Sequence, residues 1–131
     1  MNEFNNLLEI ANILLGPKGC DWDKEQTFES LKKYFIEEVN ELSEGIDNKD
    51  DANISEELGD VLYLIIFLVK IAEKDKKFTL KEVIKNLIDK LTRRHPHVFS
   101  DKKVSNVQEI IDNWQSIKKQ EKIDRLKEKN I

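Results

Sequence analysis

Apolar residues recur along this chain in steps of three and four. Phe4, Leu7, Leu8, Ala11, Leu14 and Leu15 predict an amphipathic helix over about 3–15, stopped by Gly16-Pro17. Residues 16–26 (GPKGCDWDKEQ) break the period and read as a loop. Asp23-x-x-Gln26 resembles a capping box, opening a helix over about 25–47 with the stripe Leu31, Phe35, Val39, Leu42 and Ile46. Asn48–Asp51 is a polar turn, and Asn53-x-x-Glu56 opens a helix over about 54–74. The middle of that helix, VLYLIIFLV, is apolar on every side, which suits a central helix or one at a subunit interface. Thr79-x-x-Glu82 begins a fourth helix carrying Leu80, Val83, Ile84, Leu87, Ile88 and Leu91, and His95-Pro96 ends it, because the residue before proline avoids the helical region. Ser105-x-x-Gln108 begins a fifth, with Val107, Ile110, Ile111, Trp114 and Ile117. No strand alternation competes, so the pattern predicts an all-α bundle of about five helices.

Composition narrows this picture. The 131 residues suit a single domain, read as residues 1–120 followed by a charged tail over 121–131. Four Gly and two Pro are too few for a turn-rich β-sandwich or barrel. The net charge of −4 offers no broad footprint for a nucleic acid polymer. Cys20 is the only cysteine and cannot form an internal disulfide, which fits a reducing compartment. The first fifteen residues lack a secretory pattern, and the longest apolar run, Val61–Val69, is half of what a bilayer needs. The expectation is a soluble cytoplasmic protein with no membrane partner.

The acidic residues carry the chemistry. Glu38 and Glu41 are spaced i, i+3, and Glu37 and Glu41 i, i+4; Glu57 and Asp60 repeat i, i+3 near the start of the next long helix. A short connection makes those helices antiparallel neighbours, so both acid groups belong at the same end of the pair. Carboxylates gathered this way repel one another unless a divalent cation lies between them. Oxygen ligands without nearby Cys or His suit Mg²⁺ or Mn²⁺, and Mg²⁺ commonly binds substrate phosphates as well. A solvated acidic face is the competing reading of the same spacing. Asp60 directly precedes the apolar run, and Gly59 beside it leaves room for a neighbour or ligand. A di-iron bundle would want Glu-x-x-His, and Thr92 and Arg94 stand three residues before His95 and His97.

Three arginines stand against nineteen lysines, and two of the three, Arg93 and Arg94, are adjacent. Arginine matches phosphate oxygens bidentately. Lys90 lies one turn before Arg94, on the same face; Arg93 points to another. Cations at a helix C-terminus also serve its dipole. Trp114 and Lys118 repeat the one-turn spacing on the last helix, where Trp114 belongs to the apolar stripe. Trp22 lies in a polar loop and either stacks on a base or fastens the loop. A local turn accounts for the two histidines, and no base partner marks Cys20 as a nucleophile.

Taken together these motifs resemble the MazG-type nucleoside triphosphate pyrophosphohydrolases. The resemblance rests on WDKEQTFESL (22–31), EEVNE (37–41), EELGD (56–60), KLTRRHPHVF (90–99) and the pair Trp114 and Lys118, and spans about residues 4–120. Asp21 stands where the family commonly has proline. The resemblance implies an all-α fold assembled as a homodimer or a dimer of dimers, and Mg²⁺-dependent cleavage of a nucleoside triphosphate to monophosphate and pyrophosphate. It implies Glu38, Glu41, Glu57 and Asp60 as metal ligands with Glu37 beside them. It further implies Lys90, Arg94, Trp114 and Lys118 at the nucleotide; Trp22 and, ranked below them, Arg93 are further candidate substrate contacts read from the residues themselves. The acid motifs alone are shared with dimeric dUTPases and phosphoribosyl-ATP pyrophosphatases, so a related all-α pyrophosphohydrolase acting on dUTP or phosphoribosyl-ATP is an alternative. A non-catalytic helical dimerisation module is the alternative from another class.

Overall fold

Helix-forming residues dominate between a few punctuating turns, and the computed structural model, which describes residues 2–129, is correspondingly all-α. Its helices are α1 (Asn2–Leu14), α2 (Asp21–Lys24), α3 (Phe28–Asp47), α4 (Asp51–Lys74), α5 (Leu80–Arg94), α6 (Pro96–Phe99) and α7 (Val107–Lys129), with no strand among the described residues. Five are the long helices expected from periodicity; α2 and α6 are single turns inside stretches read as loop and turn. Of the tail read over 121–131, residues 130 and 131 lie outside the described residues, as does Met1; α7 continues without a break through Lys129.

Helix starts differ from the sequence reading in an instructive way. Asp23 and Gln26 do not cap α3. Thr27 does: its hydroxyl accepts from the Ser30 backbone N–H at 3.1 Å, and Ser30 Oγ accepts from the Thr27 N–H at 2.8 Å. Gln26 instead accepts from Ser30 Oγ and donates to the Trp22 carbonyl, tying α2 to α3. Asp50, not Asn53, caps α4 by accepting from the Asn53 N–H. Asn106 accepts from the Glu109 N–H, while the Glu109 carboxylate accepts from the Ser105 N–H. In each case a short oxygen-bearing side chain sits where it can reach a free N–H two or three residues on.

The chain divides into two compact units, residues 1–80 and 81–131. In the first, α3 and α4 pack against each other along their length and α1 packs on α4. Their core is Leu31, Phe67 and Ile71, surrounded by Leu15, Phe28, Tyr34, Tyr63, Leu64 and Leu68. The apolar stretch of α4 is two-sided: Ile66, Phe67, Val69, Ile71 and Ala72 are buried, whereas Leu58, Leu62 and Ile65 face outward. A glycine lets α3 and α4 converge at their turn, since a Cβ on Gly45 would lie 3.0 Å from Asn53 Nδ2 and 3.3 Å from Ile54 Cγ1. Gly59 has no such neighbour: a Cβ there meets nothing within 4 Å. The close approach expected at Gly59 is therefore made elsewhere, at Gly45.

In the second unit, α5 and α7 are joined by ion pairs between Arg93, Arg94 and Glu121. His95 ends α5 as expected and Pro96 starts α6 at its first turn, where a missing N–H costs nothing. Neither α5 nor α7 has a buried residue.

Candidate active site

Antiparallel packing of α3 on α4 brings three carboxylates together. Glu38 and Glu41, one turn apart on α3, face Glu57 on α4, and one oxygen from each lies within 4.8 Å of the others. Glu57 is only 7% exposed, Glu38 is half-buried and Glu41 opens to solvent. Glu38 Oε2 and Glu57 Oε2 are buried without a hydrogen-bond partner. Close approach of the Glu38 carboxylate, burial and the charge of Glu41 together push Glu57 from its ordinary value of 4.5 up to about 7. A carboxylate pair so placed either shares a proton or shares a cation.

The donor set fits a hard divalent ion. All three donors are oxygens, two of them are orphaned inside the protein, and their spacing lets them face one point. Asp60 is exposed one turn beyond Glu57, and Glu37 is exposed beside Glu38; neither belongs to the three-membered cluster.

The WDKEQTF stretch lies against the same helix pair. Trp22 is 49% exposed on α2 and meets Tyr34 edge-on, with ring centres 5.6 Å apart. Tyr34 is one turn before Glu38 on α3. On α4, the Tyr63 hydroxyl is buried without a partner, and burial, with Asp23 adding, pushes its phenol up. Trp22 is thus fastened on one edge and open on the other.

The remaining singled-out residues fall in the second unit. Lys90, Arg93 and Arg94 line a cavity of about 510 Å³ between α5 and α7, together with Glu121 and Arg125. Arg93 and Arg94 are adjacent in sequence and would project about 100° apart on a helix, yet both reach Glu121. Arg93 Nε donates to Glu121 Oε2 at 2.6 Å; Arg94 Nε and Nη2 donate to Oε1 at 3.2 and 2.8 Å. The two guanidinium groups hold the Glu121 carboxyl down at about 2. Trp114 is part-exposed with its ring centre 6.5 Å from that of His95, and Lys118 is exposed one turn further along α7. Sequence reasoning missed Glu121 because it lay in a stretch read as tail. Its signal was its spacing, one turn beyond Lys118 and two beyond Trp114.

Comparison with known proteins follows the same residues. Residues 26–99 match the profile of the MazG nucleotide pyrophosphohydrolase domain. The chain is 48% identical over 119 residues to a Thermotoga maritima protein named nucleoside triphosphate pyrophosphohydrolase/pyrophosphatase MazG, covering 91% of this chain and 45% of that one. It is 38% identical over 123 residues to a nucleoside triphosphate pyrophosphohydrolase of Escherichia coli, covering 93% and 47%. The crystal structure of a mazG-related protein from Thermotoga maritima superposes with a TM-score of 0.75 at 30% identity, over 88% of this chain and 98% of that one. The chain spans between a quarter and a half of the length of these curated relatives.

Proposed function

This chain is a member of the MazG nucleotide pyrophosphohydrolase family, and we propose that it hydrolyses nucleoside triphosphates to nucleoside monophosphate and pyrophosphate. The observation that carries the proposal is the carboxylate cluster, in which Glu38, Glu41 and Glu57 place oxygens within 4.8 Å while two buried oxygens lack any partner. In the proposed reaction water attacks the α-phosphorus and pyrophosphate leaves, a transfer governed by positioning and charge neutralisation. Glu38, Glu41 and Glu57, with Asp60 one turn along α4, would hold Mg²⁺ or Mn²⁺, which when bound supplies positive charge to phosphate oxygens and acidifies water. Glu37 accepts the proton of the attacking water or orients it. Lys90, Arg94 and Lys118 stabilise charge on the leaving pyrophosphate, with Arg93 beside them. The open face of Trp22 stacks on the base, and Trp114 contacts the nucleotide. The assembly is a homodimer or a dimer of dimers, because α5 presents an apolar stripe that its own unit leaves uncovered. A single free cysteine suits a reducing cytoplasm.

The test is product identification across a panel of nucleoside triphosphates, including dUTP, and phosphoribosyl-ATP, with and without Mg²⁺. Pyrophosphate and monophosphate are expected, only with the metal. Glu38→Gln, Glu57→Gln and Asp60→Asn should each lower the rate by orders of magnitude. Release of inorganic phosphate alone, or near-full rate in all three variants, overturns the proposal.

A further inference from the structure

Two adjacent arginines on a helix repel each other and project apart unless something draws them together. Here Glu121, from the middle of α7, takes Nε of both. Its carboxylate is 15% exposed and Arg94 is 13% exposed, so the contact is shielded from solvent where hydrogen bonds to charged groups are strongest. The bonding pattern is directional. Glu121 takes the Nε–Nη2 edge of Arg94 and only Nε of Arg93, leaving Nη1 of Arg94 and both terminal nitrogens of Arg93 unengaged by it. The cavity there remains cationic, with Lys90, Arg93, Arg94 and Arg125 against Glu121 and Asp124.

We infer that Glu121 is a positioning residue, which fixes the guanidinium groups of Arg94 and Arg93 so that their free edges present to the phosphates of the substrate. It acts through the arginines and touches no reacting atom. The inference rests on the assignment of Arg94 to phosphate binding. A pre-set guanidinium loses less rotamer freedom on binding, so the larger share of the benefit falls on affinity, and the share made as pyrophosphate leaves falls on kcat. The opposite role, a carboxylate occupying the phosphate seat and competing with substrate, would give the opposite sign.

The test is a double-mutant cycle on KM for the preferred nucleoside triphosphate, with folding checked by melting temperature. Glu121→Gln is nearly isosteric but halves the acceptor capacity; it should raise KM about tenfold, the scale of one lost charge-assisted hydrogen bond, with a smaller fall in kcat. Glu121→Asp keeps the charge at shorter reach and should fall between. In a background carrying both Arg93→Ala and Arg94→Ala, Glu121→Gln should add little, because the residues it acts through are gone. Titration with inorganic pyrophosphate provides a readout independent of turnover, and Glu121→Gln should weaken that binding in step with KM. An unchanged or lower KM in Glu121→Gln overturns the inference. So does an equal rise in both backgrounds, which marks a purely structural role. If Arg94→Ala itself leaves KM and pyrophosphate binding unchanged, the assignment of Arg94 fails and this inference falls with it, while the carboxylate variants still report on hydrolysis independently.

Discussion

At the scale of single residues, Glu57 is where folding and chemistry meet. Its carboxyl is raised to about 7 by Glu38, by burial and by Glu41, so the metal-free native state holds a proton that the unfolded chain releases near 4.5. That protonation contributes stability fully present below about 4.5 and lost as pH rises through about 7. In the presence of a chelator the melting temperature should therefore fall between pH 5 and 8 by more than it does in Glu57→Gln, which has no carboxyl to ionise. Added Mg²⁺ should stabilise the wild type more at pH 8 than at pH 6, since ion and proton compete for the same oxygens. Calorimetric scans of both proteins across that range check the sign, and parallel pH dependence would refute it. The spacing of the acids was legible because helical period puts i, i+3 and i, i+4 on one face. Which oxygen ends up buried and orphaned depends on packing depth across two helices, and spacing carries no such information. Gly19 makes the same point: a methyl there would stand 2.0 Å from the Leu14 carbonyl oxygen. Gly19→Ala should cost about 1–3 kcal/mol, measurable as a lower denaturation midpoint, because a backbone atom cannot step aside as a side chain can.

Between residues and molecule lie the helix ends, which set where each functional side chain points. Both α3 and α4 finish in the same hydrogen-bonded motif: Asp50 N–H to Gly45 O and Lys49 N–H to Ile46 O in the first, Lys77 N–H to Ala72 O and Lys76 N–H to Glu73 O in the second. Each motif needs one left-handed residue, supplied by Lys49 at φ 54° and Lys76 at φ 57°. Glycine usually occupies that place, so no glycine marked either stop, and the polar turn after α3 was recognised from composition alone. Lys76→Gly should stabilise the protein by about 0.5–1 kcal/mol by removing the steric cost of a left-handed Cβ. Thr27→Ala should destabilise by about 1 kcal/mol through loss of the α3 cap. Equilibrium denaturation measures both, and a shared sign would contradict the argument. The apolar stripes located all five long helices because apolar residues recur at helical spacing in each, including α5 and α7, where no residue is buried. The exact caps were less legible, since several Asp, Asn, Ser and Thr residues compete for each start and only the folded backbone selects among them.

For the whole molecule, the apolar residues left outside carry the strongest constraint. Val83, Ile84, Leu87, Ile88 and Leu91 run along one face of α5 and are 37–55% exposed, and no residue of that helix is buried. Leu58, Leu62 and Ile65 add outward apolar positions on α4. Scattered surface leucines need no explanation, but a full amphipathic stripe without cover leaves a helix with little tertiary stabilisation, and isolated helices of this length are marginal in water. Pairing with a second copy covers such a stripe with the same residues it presents, which is the logic of a two-fold interface. Light scattering should accordingly give a mass that is an even multiple of 15.4 kDa. The melting temperature should rise with protein concentration, because association stabilises only the folded chain. Leu87→Lys places a charge in the middle of the stripe and should shift the mass toward one chain while lowering the melting temperature. It should also remove concentration dependence, which separates loss of association from ordinary destabilisation. A wild-type protein that scatters as a single chain at every concentration, with an unmoved melting temperature, would mean that α5 finds its cover without a second copy.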